Sequence, residues 1–194
     1  MFGWARPALP DRPRGRRASE PPYDRIPGFL PEPIARSILE QLLARREDFR
    51  PLTGDRNFLR LPRPLDVVPG FSEPLLAILP DVQRRFGIDM ADPEVELYVH
   101  AYNHGTWFGR HSDAHGGGNW RRRISCVYYL HGLPRAFDGG DLVVYDERGR
   151  GHAVPPEHNS LVLFPSHLVH EVRPVACRSR AFADSRFAIN VWIM

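Results

Sequence analysis

The sequence contains no lysine, because all 26 of its basic residues are arginine. This excludes a lysine Schiff base, a lysine general base and a lysine anchor, and it leaves arginine, apart from histidine or neutral donors, to bind a substrate carboxylate. Cysteine is also scarce, and Cys126 and Cys177 form neither a CxxC motif nor a disulfide framework. The cysteine content therefore favours a reducing, cytoplasmic compartment.

Long apolar runs are missing too. No segment approaches the roughly 20 apolar residues that cross a bilayer, and five prolines interrupt the N-terminus before residue 23, so neither a membrane span nor a signal peptide is predicted. The net charge of +3 lies in the first 25 residues, which contain six arginines and three acidic residues; the rest of the chain contains 20 of each. A neutral body gives no indication of nucleic-acid binding. We interpret residues 1–25 as a mobile Arg/Pro-rich arm and residues 26–194 as one domain.

Two helices are predicted ahead of a long β region. From Pro31, apolar residues recur at helical spacing until Pro51. A second helix is predicted from Ser72, taken as its N-cap, and Pro80 is expected to break or kink it. Both helices should place their apolar faces on a sheet.

After Pro93 the apolar period changes to two, which is typical of strands. In Val95–Tyr102 one face is apolar, while the other face carries Glu96, Tyr98, His100 and Tyr102. A polar inner face suits a barrel that encloses a charged ligand. Further strands are predicted from Arg121 and at 141–145, 151–155, 160–164, 169–175 and 186–193. Together these elements predict an α+β fold, a double-stranded β-helix (jelly roll) with N-terminal helices packed on one sheet.

The most informative motif is His111-Ser112-Asp113, followed 57 residues later by His170. Side chains two residues apart on an extended strand leave the same face, so His111 and Asp113 can share one ion. Two imidazoles and one carboxylate leave the opposite side of a metal open, which is how proteins hold non-haem Fe(II). A lone HSD is more often a surface turn. The glycines at 116–118 are expected to form a mobile lip over the site.

Other motifs accompany this one in a fixed order. They are Tyr102-xx-Gly105, Tyr128-Tyr129-Leu130, Gly139-Gly140-x-Leu142, Phe164-Pro165-Ser166, His170-Glu171-Val172-Arg173-Pro174-Val175 and Arg186-x-Ala188-Ile189-x-x-Trp192. In that order and at these distances the set resembles the prolyl 4-hydroxylase-like branch of the Fe(II)/2-oxoglutarate dioxygenases, over roughly residues 25–194.

The resemblance implies a cofactor, cosubstrates and a reaction. Fe(II) would be bound by His111, Asp113 and His170, with 2-oxoglutarate and O2 as cosubstrates and ascorbate as a possible reductant. The reaction would convert 2-oxoglutarate to succinate and CO2 and would hydroxylate an unactivated carbon.

The resemblance also implies a binding site for 2-oxoglutarate. Its distal carboxylate would be held by Arg186 and Tyr129, while Tyr102 closes the pocket and Leu142 packs along the methylenes. Arg186 follows His170 by 16 residues, where the family usually has about ten, so Arg180 is an alternative anchor. Both tyrosines could equally be aromatic residues that fill the barrel.

The substrate is predicted only as a class. A prolyl residue in a protein or peptide comes first, and free proline or a natural-product intermediate comes second. A non-redox cupin-like metal protein would need no carboxylate anchor, and a nucleic-acid demethylase is disfavoured by the neutral body. Neither nucleic acid nor a membrane is an expected partner, and the oligomeric state is not predicted. Substrate loops are expected around residues 52–70, 103–120 and 132–138.

Overall fold

A computed structural model describes residues 20–54, 56–62, 70–115 and 119–194. In these ranges two α-helices precede most of thirteen β-strands. The helices are α1 (Glu32–Ala44) and α2 (Ser72–Phe86). The strands are β1 (Asp24–Pro27), β2 (Arg50–Leu52), β3 (Arg56–Leu61), β4 (Val95–Tyr102), β5 (Trp107–His111), β6 (Ile124–Leu130), β7 (Asp138–Gly139), β8 (Leu142–Tyr145), β9 (Gly151–Val154), β10 (Ser160–Pro165), β11 (His170–Val172), β12 (Val175–Ala176) and β13 (Arg186–Ile193).

The strands form two antiparallel sheets that share one strand. The larger sheet has the order β1-β10-β6-β13-β4-β3, and the smaller has the order β5-β11-β8-β9. Strand β3 joins them, because its residues Leu59–Leu61 pair with β4 while Arg56 and Asn57 pair with β5. Strand β2 adds to β3, and β7 pairs separately with β12. This arrangement is the predicted double-stranded β-helix.

Two apolar cores lie on opposite faces of the larger sheet. On the outer face, Ile38 and Leu42 of α1 and Ile78 of α2 pack against alternate residues of β4, β6 and β13. On the inner face, residues such as Tyr129 and Leu142, one from each sheet, fill the space between the sheets. The predicted packing of the N-terminal helices on one sheet is therefore confirmed. Because the helices cover the outer face, a site on the larger sheet would have to lie on its inner face.

The second helix does not break at Pro80. It starts after Phe71, not after Ser72, and continues to Phe86, where Gly87 ends it with a φ of 64°. Buried Ile78 and Val82 lie on either side of the proline. Packing of this apolar face offsets the hydrogen bond that proline cannot donate.

The ordered domain begins before residue 26. Asp24 and Arg25 pair with β10, and the Asp24 carboxylate is 1% exposed and lies 2.8 Å from Nε of Arg85. The predicted boundary of the arm at residue 25 is therefore wrong, and residues 1–19 lie outside the described residues. In the described part of the chain, no helix is long and apolar enough to span a membrane.

Parts of two predicted substrate loops are strands. Residues 56–61 form β3 and residues 107–111 form β5. Both strands lie at the junction of the two sheets, so their pairing depends on partners that are distant in sequence. Residues 63–69, and the glycines at 116–118 that were predicted to form a lip, lie outside the described residues.

Candidate metal and cosubstrate site

The structure brings His111, Asp113 and His170 together. His111 ends β5 and His170 begins β11, and the two residues are direct partners across the sheet. Nε2 of His111 lies 3.6 Å from Oδ1 of Asp113, and Nε2 of His170 lies 3.3 Å from Oδ2. All candidate ligand atoms are within 4.8 Å of one another. This cluster, called the His–Asp–His cluster below, has the composition and spacing of a metal site.

Asp113 reaches the cluster from a turn. The strand ends at His111, so the expectation that both ligands share one extended strand is wrong. The N–H of Asp113 donates to the carbonyl of Ser166 at 3.1 Å. This bond fixes the turn next to β10, and the carboxylate then points at the two imidazoles.

Hydrogen bonds orient all three side chains of the cluster. Nδ1 of His111 lies 2.8 Å from the carbonyl of Gly109, and Nδ1 of His170 lies 3.0 Å from that of Leu168. Protonated Nδ1 atoms would donate to these carbonyls and leave both Nε2 lone pairs free for a metal. The Ser125 hydroxyl donates to Oδ2 of Asp113 at 2.6 Å.

The electrostatics of the cluster suit a cation. Burial acts to raise the pKa of Asp113, but His170 and His111 beside it hold that pKa well below its ordinary value. The carboxylate is therefore ionised at neutral pH and can serve as an anionic ligand.

A cavity of about 370 Å³ extends from the cluster along the inner face of the larger sheet. Strands β4 and β13 line it with opposed residues, namely Tyr102 with Arg186, Tyr98 with Asn190 and Glu96 with Trp192, and His100, opposite Ala188, also lines it. The polar inner face predicted for β4 is confirmed, since all four of its polar residues line the cavity. Tyr102 and Arg186 lie at one end of this ladder, and Glu96 and Trp192 lie at the other.

Arg186 is a buried cation without an anionic partner among the described residues. Its side chain is 1% exposed, and the guanidinium carbon lies 4.7 Å from the ring centres of both Tyr102 and Tyr129. In the part of the chain that the structure describes, neither its Nε nor its Nη1 has a hydrogen-bond partner, and the Tyr129 hydroxyl has none. A buried charge is costly unless it is paired. A ligand carboxylate fits this place.

The two tyrosines stay neutral next to this guanidinium. Burial raises the pKa of Tyr129 although Arg186 acts to lower it, and burial likewise raises the pKa of Tyr102. Tyr129 is therefore able to donate its hydroxyl hydrogen to an anion. Tyr102, Leu142 and Arg186 line the cavity.

Arg180 lies elsewhere. It is exposed, and it adopts a φ of 54° in the loop between β12 and β13. The extra residues between His170 and Arg186 form this loop, which includes a short 3-10 helix at Phe182–Asp184.

Gly140 makes room for the buried arginine. Its φ is 71°, and a Cβ at this position would lie 2.9 Å from Cδ of Arg186. Glycine meets both demands, since it adopts positive φ and has no side chain. The Gly-Gly pair was part of the sequence resemblance, but its contact with Arg186 was not predicted.

Several residues of the site were missed by the sequence analysis. Ser125 lies on the polar face of β6, and that alternation was the available signal. Arg60, Arg122 and Trp192 also line the cavity. Arg60 belongs to a segment that had been interpreted as a loop, so no periodic pattern pointed to it.

The fold and the His–Asp–His cluster together define a jelly-roll protein with two histidines and one aspartate placed where they could hold a metal ion. The sequence profile of the 2OG-Fe(II) oxygenase superfamily matches residues 97–194, half of the chain. The chain belongs to this superfamily. The predicted family, and with it the prediction of an enzyme, is confirmed.

Known proteins agree with this assignment. An uncharacterised PKHD-type hydroxylase of Synechocystis sp. is 38% identical over 109 residues, which span 52% of this chain but only 36% of that relative. A prolyl-4-hydroxylase of Pseudomonas putida superposes with a TM-score of 0.70 at 23% identity and covers 89% of this chain and 91% of its own. A prolyl hydroxylase from Trichoplax adhaerens, solved with a peptide fragment of the hypoxia inducible factor oxygen degradation domain, also gives 0.70, at 20% identity, over 89% and 83%. These structural likenesses show the fold.

Proposed function

We propose that this chain is an Fe(II)- and 2-oxoglutarate-dependent dioxygenase that hydroxylates a prolyl residue in a protein or peptide. The observation that carries the proposal is the buried Arg186 guanidinium in the same cavity as the His–Asp–His cluster. A metal-binding barrel without a dicarboxylate cosubstrate would gain nothing from this cation and would bear its desolvation cost. The arrangement therefore argues against a non-redox, cupin-like role.

The residues divide into a metal set and an anion set. His111, Asp113 and His170 would hold Fe(II), which when bound supplies the reaction with O2 that amino-acid side chains cannot perform. Arg186 and Tyr129 would hold the distal carboxylate of 2-oxoglutarate by charge-assisted hydrogen bonds. Tyr102 would close this end of the cavity, and Leu142 would pack along the methylenes.

The remaining task of the protein is to position and shield the reactants. Ser125 holds the Asp113 carboxylate in place, and the imidazoles are fixed by backbone carbonyls. Phe58, Phe108 and Val172 add apolar walls to the cavity. Overall, 2-oxoglutarate, O2 and a C–H bond would give succinate, CO2 and C–OH. In this balance no side chain has to act as a general acid or base.

The choice of a prolyl substrate is supported by the relatives. Two of the superposed structures are prolyl hydroxylases, and one of them contains a peptide. Free proline or a natural-product intermediate is the second candidate. The proposal includes a reducing, cytoplasmic location, which the two buried free cysteines support.

The test is turnover of the cosubstrate. Protein purified without oxygen is given Fe(II), 2-oxoglutarate and then O2, with ascorbate as an optional reductant, and succinate is measured with and without proline-containing peptides or L-proline. We expect succinate in each case and a gain of one oxygen atom by the true substrate. Zn(II) should bind but give no succinate, because zinc has no accessible redox change. Iron-loaded protein that binds 2-oxoglutarate but forms no succinate would refute the proposal.

A further inference from the structure

The outer half of the cavity, away from Arg186, carries an excess of positive charge. Arg60 and Arg122 line it, whereas Glu96 and Asp113 are the only carboxylates lining the cavity in the described part of the chain. Asp113 belongs to the His–Asp–His cluster, which leaves Glu96 to face the Arg60 and Arg122 guanidinium groups. The chain beyond residue 25 is neutral overall, so this concentration of arginine is local to the cavity.

Arg122 has a partner inside the protein. Its Nε and Nη2 donate to the same oxygen of Glu96, at 3.1 and 2.5 Å, and its guanidinium lies 3.9 Å from the Trp192 ring centre. This pair closes the Trp192 end of the ladder. Glu96 is thereby used and does not neutralise Arg60.

Arg60 has no such partner. Its guanidinium lies 4.3 Å from the ring centre of Tyr98, and it forms no hydrogen bond or ion pair with any described residue. Stacking on an aromatic face fixes the plane of a guanidinium and leaves its N–H groups free at the edges. Arg60 is therefore oriented to bind a group that lies in the cavity.

The neighbouring His100 is neutral, so it neither pairs with Arg60 nor adds a positive charge. Arg60 is the direct partner of His100 across the sheet. Burial lowers the pKa of His100 to about 3, with Arg60 and Arg186 adding to the effect. The side-chain N–H of Asn190 donates to Nδ1 of this neutral ring at 3.0 Å. Arg60 and Arg186 are thus two separate guanidinium groups of the cavity that have no ionic partner among the described residues, and the proposed 2-oxoglutarate site accounts for Arg186.

We infer that Arg60 binds a carboxylate of the substrate, so that the substrate carries a negative charge near the carbon to be hydroxylated. The inference rests on the proposed function, because it assigns the Arg186 end of the cavity to 2-oxoglutarate. The carboxylate has two possible sources. It is an Asp or Glu side chain next to the prolyl residue of a peptide, or it is the carboxylate of a free amino acid.

The experiment measures binding and not turnover. Protein loaded with Zn(II) and 2-oxoglutarate is incubated with a pool of proline-centred peptides whose flanking positions are randomised, and the retained peptides are sequenced by mass spectrometry. We expect Asp and Glu to be enriched about tenfold over Asn and Gln, as a charge-assisted contact provides. In Arg60→Gln the enrichment should fall to about twofold or less, while zinc content and affinity for 2-oxoglutarate stay unchanged.

Arg110→Gln is the matched control. Arg110 lies over the Tyr145 ring at the same distance of 4.3 Å, but it is exposed and does not line the cavity. This variant should retain the acidic preference. In a second arm, L-proline and L-prolinamide compete for the same zinc-loaded protein. Preference for L-proline that is lost in Arg60→Gln identifies a free amino acid as the source of the carboxylate.

Two results would overturn the inference. One is the absence of acidic preference in both arms for the unmodified protein, and the other is the same preference in Arg60→Gln. Acidic preference that persists in a protein whose Fe(II) form makes no succinate would overturn the proposed function and leave the anion site in place.

Discussion

At the scale of single residues, each ligand of the His–Asp–His cluster is fixed by a second contact. The backbone carbonyls of Gly109 and Leu168 face the imidazoles, and the Ser125 hydroxyl donates to the carboxylate. A site with three preset ligands has little to reorganise when a metal binds. Removing one of the three side chains should therefore lower the affinity for the metal.

Asp113→Ala and His111→Ala test this cluster. Each should weaken iron binding by at least about 100-fold and abolish succinate formation, because two protein ligands remain. Iron content after dialysis and succinate yield are the measurements. His104→Ala, in an exposed turn outside the cavity lining, should behave like the unmodified protein. Full succinate production by either ligand variant would show that the metal is bound elsewhere.

Arg186 and Arg180 are distinguished by one comparison. Losing a paired contact to a buried carboxylate costs about 2–4 kcal/mol, which corresponds to an affinity for 2-oxoglutarate that is roughly 30- to 1000-fold weaker. Arg186→Ala should raise the KM for 2-oxoglutarate by this order with iron still bound. Arg180→Ala should change it little, because Arg180 is exposed. The opposite result would assign the anchor to the loop between β12 and β13.

At the scale of secondary-structure elements, the turn before β8 shapes the Arg186 end of the cavity. Gly140 lies against the side chain of Arg186, at the start of β13. An added methyl group there would push on a side chain that Tyr102 and Tyr129 already enclose. The turn therefore helps to set the position of the Arg186 guanidinium.

Gly140→Ala and Gly149→Ala form a matched pair. Both positions have positive φ, 71° and 77°, but a Cβ at Gly149 would meet no atom within 4 Å. Each substitution should lower the free energy of unfolding by about 1–2 kcal/mol through backbone strain. Only Gly140→Ala should also raise the KM for 2-oxoglutarate. Chemical denaturation and steady-state kinetics separate the two effects, and equal KM values would contradict the role given to Gly140.

Regular alternation explains which elements could be predicted from the sequence. Strands β4, β6 and β13 are long, and one face of each packs on the helices, so a period of two is visible in their residues. Strand β3 carries Arg56, Asn57 and Arg60, and its face is decided by pairing with both sheets, which no local pattern records. The turn at Asp113 was missed for a similar reason, because its geometry depends on the distant Ser166. The three residues of the His–Asp–His cluster were nonetheless predicted to lie together, since their chemistry and spacing do not depend on that turn.

At the scale of the whole molecule, the N-terminal region is attached to the domain by a buried ion pair. Asp24 of β1 contacts Arg85 of α2 at 2.8 Å, and Glu20 also approaches Arg85. This contact joins the edge of the larger sheet to a helix on its outer face. Shortening the chain to residue 26 would therefore remove both Asp24 and Glu20 from Arg85.

Two deletions test this boundary. Removing residues 1–19 should leave Tm, iron binding and turnover of a small peptide unchanged, because this Arg/Pro-rich stretch lacks the apolar pattern needed to join a core. Removing residues 1–25 should destabilise the protein by about 3–5 kcal/mol, the cost of leaving one member of a buried pair alone. Thermal unfolding of both forms is the measurement. If the shorter deletion impairs small-peptide turnover, the arm is part of the site; if it impairs only a large protein substrate, the arm serves docking.

The Arg186 guanidinium, which has no anionic partner among the described residues, has a consequence for the lifetime of the protein. If it binds 2-oxoglutarate as proposed, the metabolite supplies the negative charge that pairs with this buried cation. A ligand present at 100 times its Kd stabilises the folded state by about 2.7 kcal/mol, which is a large share of the 5–15 kcal/mol typical of domains. In a cell that is short of 2-oxoglutarate, the protein would unfold more often and be degraded faster. The supply of 2-oxoglutarate would then set the amount of the protein in the cell as well as its rate of turnover.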